Sequence, residues 1–403
     1  MLYKGRYTRA MGYKTYTCPI AMKCGGCEWL AVPYPIQLRR KQEFVTELFS
    51  KMVAEDGASV DDVHGMNDPR AFRHKAATPF APGKGGRIRS GFYAAGSHRI
   101  VHCEQCLVED ARARDILNDL ARIASELRIP AYEEDRGSGC LRHAVLRCGY
   151  ASDDLLLTLV TNGPNLPHEK QLVAKLRQKQ PGLSSIVQNI NQRRTNAILG
   201  RECRTLFGPG VMHDRLLGCT FEIGPTSFYQ TNPAQTEVLY QLALEAASLQ
   251  GGMHLLDAYC GTGTIGICAA ASCDKLQVTG VEQVRGAVSC AKRNAVANQV
   301  EERCEFVRAD ATSFISKAAK ESRAFDVVIM DPPRAGSTPE FLAAVGKLAP
   351  KRVVYVSCNA VTQARDLELL RTYGYRLEQL SPVDMFPHTK HVETVALMLR
   401  NGA

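Results

Sequence analysis

The sequence lacks the features of membrane, secreted and repeat proteins. None of its 403 residues belongs to a segment that approaches the roughly 20 consecutive apolar residues of a membrane helix. The opening segment Met1-Leu2-Tyr3-Lys4-Gly5-Arg6 is positively charged, but no apolar stretch follows it, so no secretory signal is expected. Internal repeats and low-complexity tracts are also missing. We therefore expect a cytoplasmic globular protein without a membrane association.

Acidic residues are too few to balance the basic ones, and the formal net charge is +9. A basic surface of this kind suits a polyanion that is held through its phosphates. A mildly basic, solvated surface explains the same charge equally well. The basic residues cluster at 39–41, 73–75, 87–89, 193–194 and 201–204.

A framework of disulfide bonds is not expected either, because the 15 cysteines are an odd number and no export signal precedes them. Cys268 and Cys290 fall on helical patterns and Cys148 and Cys219 on strand-like ones, as small core residues would. A separate group needs another explanation. It comprises Cys18, Cys24 and Cys27, with a fourth thiol from Cys103 or Cys106, and four cysteines suit either zinc or an iron–sulfur cluster.

The chain exceeds the usual length of a single core, so two domains are expected. Residues 1–207 contain short alternating segments such as 155–161 and 185–190, with helical patterns near 36–52 and 110–127, which predicts a mixed α+β domain. Residues 208–403 show longer helices and strands that take turns. This alternation predicts an α/β fold with a doubly wound, Rossmann-like parallel sheet.

A glycine-rich turn follows one of these predicted strands. Gly261-Thr262-Gly263 stands between a strand at 255–259 and a helix from Thr264, where glycines let the backbone approach a nucleotide-like cofactor. Glu282 closes the next strand, about twenty residues past Gly263, where an acidic residue binds a ribose diol. Asp310 follows the third strand and is placed to reach an adenine amino group. A nicotinamide-dependent dehydrogenase is the competing interpretation of this pattern.

The fourth strand ends in Asp331-Pro332-Pro333-Arg334, which is not a dehydrogenase feature. An aspartate with rigid prolines at this strand end resembles the catalytic-loop region of S-adenosylmethionine methyltransferases. A proline turn with an exposed aspartate would explain Asp331 alone, but not all these elements in this order.

A cysteine and a glutamate complete the candidate site. Cys358 directly follows the apolar β-branched run 353–356 and Ser357, and therefore lies at the carboxyl end of a buried strand, where a thiolate can act as nucleophile. Glu393 opens a final apolar strand, and its carboxylate is the candidate base at the same cleft. An isolated glutamate is more often a solvated charge, so its flanking sequence decides.

Together these segments resemble the uridine C5 RNA methyltransferases, the group that contains the bacterial 23S rRNA and tRNA 5-methyluridine enzymes. The matching segments occur in the family's order over nearly the whole second half, and the first half matches more loosely at 72–76 and 139–143. They are 227–232, 257–263, 331–336, 357–359 with 364–367, and 391–393.

The resemblance implies a methyl transfer from S-adenosylmethionine to C5 of a uridine in RNA, most of all 23S rRNA, with tRNA as the alternative. It implies Cys358 as the nucleophile that adds to C6 and Glu393 as the base that removes the C5 proton. It also implies Gln230, Tyr259, Glu282 and Asp331 around the cofactor or the target base.

For the N-terminal cysteines the resemblance implies a [4Fe-4S] cluster on Cys18, Cys24 and Cys27. Cys106-Leu107-Val108 fits the family's fourth-ligand context better than Cys103 does. A structural or RNA-positioning role is expected, since the covalent mechanism needs no electron. Only a short segment precedes Cys18, so the family's separate N-terminal β-barrel RNA-binding module is expected to be absent. Basic residues of the central domain are then expected to contact the RNA phosphates, with Arg73, Lys75 and Arg142 as the first candidates.

Two further alternatives remain. N-methyltransferases with an Asn-Pro-Pro-Tyr-like loop modify another position and need no cysteine nucleophile. A non-enzymatic RNA-folding or assembly factor would carry the methylation only incidentally. The sequence does not specify protein partners.

Overall fold

The computed structural model describes residues 15–402, so the segment Met1–Arg6 lies outside the described residues. No helix in this range is long and apolar enough to cross a lipid bilayer. The α-helices of the described chain are α1 (Ala21–Cys24), α2 (Tyr34–Asp56), α3 (Ala113–Glu126), α4 (Glu169–Lys179), α5 (Pro233–Ala247), α6 (Thr264–Ser272), α7 (Arg285–Ala297), α8 (Ala311–Lys320), α9 (Pro339–Leu348) and α10 (Ala360–Thr372).

The strands form two large sheets and two small ones. They are β1 (Ser59–Val60), β2 (Lys75–Pro82), β3 (Ile88–Ser90), β4 (Phe92–Tyr93), β5 (Ile100–Val101), β6 (Leu141–Cys148), β7 (Leu155–Thr161), β8 (Ser185–Ile190), β9 (Glu202–Phe207), β10 (Met212–Leu216), β11 (Cys219–Ile223), β12 (His254–Ala258), β13 (Gln277–Glu282), β14 (Cys304–Arg308), β15 (Val327–Met330), β16 (Arg352–Ser357), β17 (Tyr375–Val383) and β18 (Glu393–Arg400).

The larger sheet has the strand order β1-β17-β18-β16-β15-β12-β13-β14. Its strands from β12 to β16 pair in parallel, as predicted, and β15 is buried along its whole length. Such continuous apolar runs are typical of parallel strands that are covered on both faces. Helices α5, α6 and α7 pack on one face, and α2, α8, α9 and α10 on the other. The sheet is nevertheless mixed, because β18 runs antiparallel between β16 and β17.

The N-terminal segments 34–56 and 59–60 pack with this C-terminal sheet. Val45 and Phe49 of α2 join the same core as β15 and β16, and β1 pairs with β17. The division of the chain after residue 207 stays a prediction, but α2 and β1 are structurally continuous with the second half.

The second sheet has six strands in the order β3-β2-β6-β7-β8-β9, with α3 and α4 packed on one face. The strands predicted at 155–161 and 185–190 have these bounds in the structure. The sheet approaches the larger one through the loop that precedes α5, since the His74 backbone N–H donates to the Thr231 carbonyl at 2.8 Å.

Candidate active site

The topology places Cys358 and Glu393 at one edge of the large sheet. Cys358 follows the last residue of β16, and Glu393 is the first residue of β18. Because these strands are antiparallel, with Ser357 opposite Thr394, the end of one lies beside the start of the other. The loops after β12 and β15 emerge at the same edge, since both strands run parallel to β16.

The Cys358 thiol is half-buried, and burial raises its pKa. The charges of Glu393 and Asp331 raise this pKa further, because a second anion nearby disfavours a thiolate. The Arg334 guanidinium opposes both effects through its charge and a side-chain hydrogen bond to the thiol. Arg334 is therefore the group that favours the nucleophilic form.

Glu393 is 3% exposed, and burial raises its pKa to about 8. Asp331 acts in the same direction and Arg334 in the opposite one. Burial also raises the pKa of Asp331 to about 7. A carboxyl group with a pKa near neutrality can exchange a proton with a reacting carbon at ordinary pH, which suits a general base.

The loop that carries Asp331 and Arg334 is fixed to α10. The Asp366 carboxylate accepts hydrogen bonds from the Ser337 backbone N–H and the Tyr355 hydroxyl, each at 2.7 Å. At the start of the helix, the Asn359 side-chain amide donates to the Arg334 carbonyl at 3.0 Å. These contacts hold Arg334 beside Cys358.

Gln363 of α10 joins the two strands that carry the candidate nucleophile and base. Its amide donates to the Tyr355 carbonyl of β16 at 2.8 Å, and its carbonyl oxygen accepts from the Thr394 hydroxyl of β18 at 2.6 Å. Because Gln363 is fully buried, these bonds fix the relative position of the strand ends.

The glycine loop after β12 has the backbone shape of a cofactor cradle. Gly261 has a φ of 56° and Gly263 a φ of 80°, and a Cβ built on Gly261 would meet only open space. Tyr259 also has a positive φ, of 65°, a conformation that residues with a side chain adopt uncommonly. The Tyr259 hydroxyl lies 3.1 Å from that of Ser337, which links this loop to the Asp331 loop.

The predicted acidic residues follow the expected strands. The Glu282 carboxylate accepts from the backbone N–H groups of Gly261 at 3.2 Å and Val284 at 2.8 Å, and it keeps free lone pairs for a ribose diol. Asp310 caps α8 by accepting from the Ser313 N–H at 2.9 Å and is otherwise exposed. Gln230 lies partly exposed in the loop before α5 and makes no hydrogen bond to another residue of the range 15–402.

The charges at this strand edge fit a cationic cofactor. Asp257, Asp331 and Glu393 are acidic groups whose pKa values burial raises to between about 7 and about 8, and none forms an ion pair within the described chain. Bringing a positive sulfonium among them would stabilise the carboxylates. The glycine loop, Glu282 and these acids are therefore chemically suited to S-adenosylmethionine.

Five cysteines line one cavity near the N-terminal end of the described chain. Such a set of thiols has the donor chemistry of a thiolate-ligated group. Across residues 15–402, however, no three His, Cys, Asp or Glu side chains are arranged to hold a metal ion. The cysteines of this cavity are Cys18, Cys24, Cys27, Cys103 and Cys106.

Cys103 and Cys106 differ in their hydrogen bonds. The buried Cys103 thiol donates to the Gln105 carbonyl at 3.1 Å, as a protonated cysteine does. Burial raises the pKa of Cys106, but the backbone N–H groups of Val108 and Glu109 act in the opposite direction, toward the thiolate. The pKa of both thiols is nevertheless raised, so the choice of Cys106 over Cys103 stays a prediction.

The structure does not support Arg142 as a first contact for RNA phosphates. Its side chain is 2% exposed, and its guanidinium donates to the carbonyls of Asn191 at 2.6 Å and Arg193 at 2.9 Å. Lys75 is only partly buried and forms no ion pair with a described residue, so it remains a candidate.

Sequence reasoning assigned no role to Arg334, Gln363 or Trp29. Arg334 stood within the quoted Asp-Pro-Pro-Arg segment, and a cation next to a candidate nucleophile was a usable signal. Gln363 and Trp29 gave no such signal, because their partners come from distant parts of the chain.

Comparison with protein families matches residues 213–401 to the tRNA (uracil-5-)-methyltransferase model. An uncharacterized RNA methyltransferase of Staphylococcus aureus is 40% identical over 390 residues, which cover 97% of this chain and 85% of the relative. An uncharacterized RNA methyltransferase of Bacillus cereus is 39% identical over 394 residues, which cover 98% of this chain and 85% of the relative.

A solved structure is similar over most of the chain. It is the Pyrococcus abyssi tRNA (uracil-54, C5)-methyltransferase in complex with S-adenosyl-L-homocysteine, with a TM-score of 0.76 and 28% sequence identity. The similarity covers 93% of this chain and 86% of that one. The fold is therefore that of a Rossmann-like S-adenosylmethionine methyltransferase.

Proposed function

Because the chain belongs to the tRNA (uracil-5-)-methyltransferase family and is an S-adenosylmethionine-dependent RNA methyltransferase, we propose that it methylates C5 of a uridine in RNA through a covalent bond between Cys358 and C6. The observation that carries this proposal is the antiparallel pairing of β16 with β18, which brings Cys358 and Glu393 to one strand edge.

The chemistry explains why a thiol and a carboxylate are both needed. C5 of uridine is a weak nucleophile, and addition of the Cys358 thiolate to C6 makes C5 enolate-like. Tyr259, Gly261, Gly263 and Glu282 would hold S-adenosylmethionine, which would supply the electrophilic methyl group. Arg334 favours the attacking thiolate through its charge.

After methylation, Glu393 removes the C5 proton, and the electron pair of that C–H bond re-forms the C5–C6 double bond as the thiolate leaves. Burial suits Glu393 to this task, because it raises the pKa to about 8 and keeps water away from the adduct. We assign Gln230, Asp310 and Asp331 to the cofactor or the target base.

Trapping tests the covalent step. RNA with 5-fluorouridine at the target position should form a stable adduct with Cys358, because fluorine cannot leave as a proton does. The Cys358→Ser variant should form none. Cys203→Ser is the matched control, since Cys203 is exposed, and it should form the adduct as the parent does. Failure of the parent protein to shift a verified RNA substrate on a denaturing gel would contradict the mechanism.

The target is proposed to be 23S rRNA, with tRNA as the second candidate. The similarity to the Pyrococcus abyssi tRNA enzyme favours tRNA. Nucleoside mass spectrometry of both RNA classes from a deletion strain decides, since 5-methyluridine should disappear from one class only. Growth rescue by Cys358→Ser would instead favour a folding or assembly factor, and full methylation by that variant would favour an N-methyltransferase.

We also propose that Cys18, Cys24, Cys27 and Cys106 hold a [4Fe-4S] cluster in an N-terminal unit, 1–207, that contributes to RNA binding beside the methyltransferase unit 208–403. The shared cavity of the five thiols supports the first part. The hydrogen bond that the Cys103 thiol donates to the Gln105 carbonyl supports the choice of Cys106 as the fourth ligand.

Anaerobically purified protein should be brown and contain about four irons per chain, as a four-cysteine cluster requires. Serine at any of the four proposed ligands should bleach it, whereas Cys103→Ser is the control that should not. A colourless protein with stoichiometric zinc would contradict the cluster. Bleaching by Cys103→Ser but not by Cys106→Ser would contradict the ligand choice.

A further inference from the structure

An open pocket of about 450 Å³ lies beside Cys358, and this volume is in the usual range for a small ligand. Cys358 forms part of its lining, but Glu393, Asp331 and the glycine loop do not. The pocket thus shares Cys358 with the candidate active site but none of these other site residues. No acidic residue is among those that line it, and its lysine and arginine side chains are Arg40, Lys41 and Lys390.

Two of the pocket's cations have no carboxylate partner in the described chain. Lys41 is fully buried and pairs with Asp384 at 2.5 Å, so its charge is neutralised. Arg40 and Lys390 are exposed, and neither forms an ion pair with a described residue. They lie on different elements, α2 and the segment before β18, and both face this pocket. The pocket thus offers two free positive charges to a polyanion.

Two aromatic side chains, Trp29 and Phe44, line the same pocket. Trp29 is the single tryptophan of the chain, and its ring lies 5.6 Å from the Arg40 guanidinium carbon. Its backbone N–H donates to the His388 carbonyl at 2.9 Å, which fixes the ring's segment to the C-terminal half. Phe44, one helical turn after Arg40, remains 44% exposed. The partly exposed Trp29 ring and the exposed Phe44 ring, beside cations without a carboxylate partner in the described chain, resemble a platform for single-stranded nucleic acid.

We propose that this pocket holds the nucleotide adjacent to the target uridine in single-stranded RNA, with its base on the Trp29 ring and its phosphates at Arg40 and Lys390. This inference rests on the proposed function. When the target uridine leaves the stack to reach Cys358, its neighbour loses a stacking partner. Trp29 replaces that partner, and the two cations bind the backbone on either side of the turn.

The single tryptophan makes the proposal directly measurable. The pentanucleotide ApApUpApA should change the emission of Trp29, whereas a pentanucleotide with four abasic sugars around the uridine has the same charge and should not. Binding of a labelled ApApUpApA should weaken several-fold in Trp29→Ala and much less in Trp29→Phe. Thermal unfolding of each variant should match the parent, which separates lost binding from lost folding.

Neighbouring arginines on α2 give a matched pair for the charges. Arg40→Gln should lower the slope of log affinity against log salt by about 0.7, the share of one single-strand phosphate contact. Arg39 is also exposed but does not line the pocket, so Arg39→Gln should leave the slope near the parent's. Equal losses in both variants would overturn the assignment of phosphates to this pocket.

The outcomes separate this proposal from the proposed function. A 5-fluorouridine adduct on Cys358 together with unchanged Trp29 emission would overturn the pocket and leave the methylation intact. Equal emission changes with the abasic and the complete pentanucleotide would overturn the stacking. Base-dependent emission without any adduct would support the pocket and contradict the covalent mechanism.

Discussion

At the scale of single residues, the environment of the site favours the protonated forms of its reactive groups. Burial raises the pKa of both Cys358 and Glu393. The charge of Asp331 raises both pKa values further, and that of Glu393 raises the pKa of Cys358. Arg334 is the cation that the described chain places against them. A bound sulfonium adds a second positive charge, so cofactor binding should itself favour the thiolate and the carboxylate.

Replacing Glu393 by glutamine should trap the methylated adduct rather than prevent its formation. The amide occupies the same space but cannot accept the C5 proton, and loss of a general base typically costs about 10²–10⁴-fold in rate. Single-turnover assays should show the RNA–protein adduct accumulating while free 5-methyluridine falls by that factor. Loss of both adduct and product would mean that Glu393 organises the site instead.

The pH profile gives an independent check on the same residue. Glu393 must lose its proton to act as a base and its pKa is raised to about 8, so turnover by the free enzyme should rise as pH increases from 6 to 9. In Glu393→Gln the remaining pH dependence of adduct formation should reflect Cys358. A parent profile that falls over this range would contradict the assignment of Glu393.

The sequence predicted Cys358 and Glu393 at strand ends because strand ends are local features, whereas the adjacency of these two ends depends on the antiparallel pairing of β18 with β16. It could not predict that Trp29 lines a pocket with Cys358, because this depends on the packing of an N-terminal segment against the C-terminal half. It wrongly offered Arg142 as an RNA contact, since a basic residue in a strand shows its charge in the sequence but not its burial.

At the scale of elements, α10 holds the Asp331 loop in place. Asp366 is the anchor, since its carboxylate accepts from Ser337 and Tyr355, each at 2.7 Å, and it is almost fully buried. The Arg365 guanidinium also contacts this carboxylate at 2.7 Å. A buried acceptor with several donors is costly to alter, because each lost bond leaves a donor unsatisfied.

Asp366→Asn should therefore lower the free energy of unfolding by about 1–3 kcal/mol and weaken S-adenosylmethionine binding. The amide group brings a donor where the aspartate only accepts, so one of its partners is displaced and the loop with Asp331 loosens. Glu368→Gln on the same helix is the control, since its pair with Arg371 lies near the surface and is worth little. Calorimetry of unfolding and of cofactor binding measures both effects.

An unchanged cofactor affinity in Asp366→Asn would mean that the loop does not depend on α10. The strand predicted at 255–259 and the helix predicted from Thr264 followed from hydrophobic periodicity and agree with β12 and α6 to within one residue. The insertion of β18 between β16 and β17 did not, because antiparallel pairing over such distances depends on tertiary contacts that no local pattern encodes.

At the scale of the whole molecule, segments from the N-terminal half of the chain pack with the C-terminal sheet. The helix α2 and strand β1 pack with the C-terminal sheet, whereas the six-stranded sheet lies between them in sequence. Trp29 and α2 consequently line the pocket beside Cys358. The two-domain expectation from length was reasonable, but length does not reveal which early segments join the later core.

In this arrangement some basic side chains bind the protein's own backbone, whereas others are available to bind RNA. Variants of Arg142 and Lys75 test this distinction. Arg142 holds the Asn191 and Arg193 carbonyls, so Arg142→Gln should lower the melting temperature by several degrees and leave the RNA affinity of the folded protein nearly unchanged. Lys75 has no acidic partner among the described residues, so Lys75→Gln should weaken RNA binding and flatten its salt dependence, with S-adenosylmethionine affinity preserved.

The lowered pKa of Lys75 adds a pH dependence of RNA binding that Arg142 cannot produce. Burial and the nearby Arg147 lower the pKa of Lys75 to about 8, so its ammonium is charged at pH 7 and loses its proton as pH rises to 9. RNA affinity of the parent should therefore fall between pH 7 and 9, and Lys75→Gln should abolish that part of the fall. Filter binding at fixed ionic strength measures it. An equal fall in the parent and in Lys75→Gln would mean that the phosphates contact other cations.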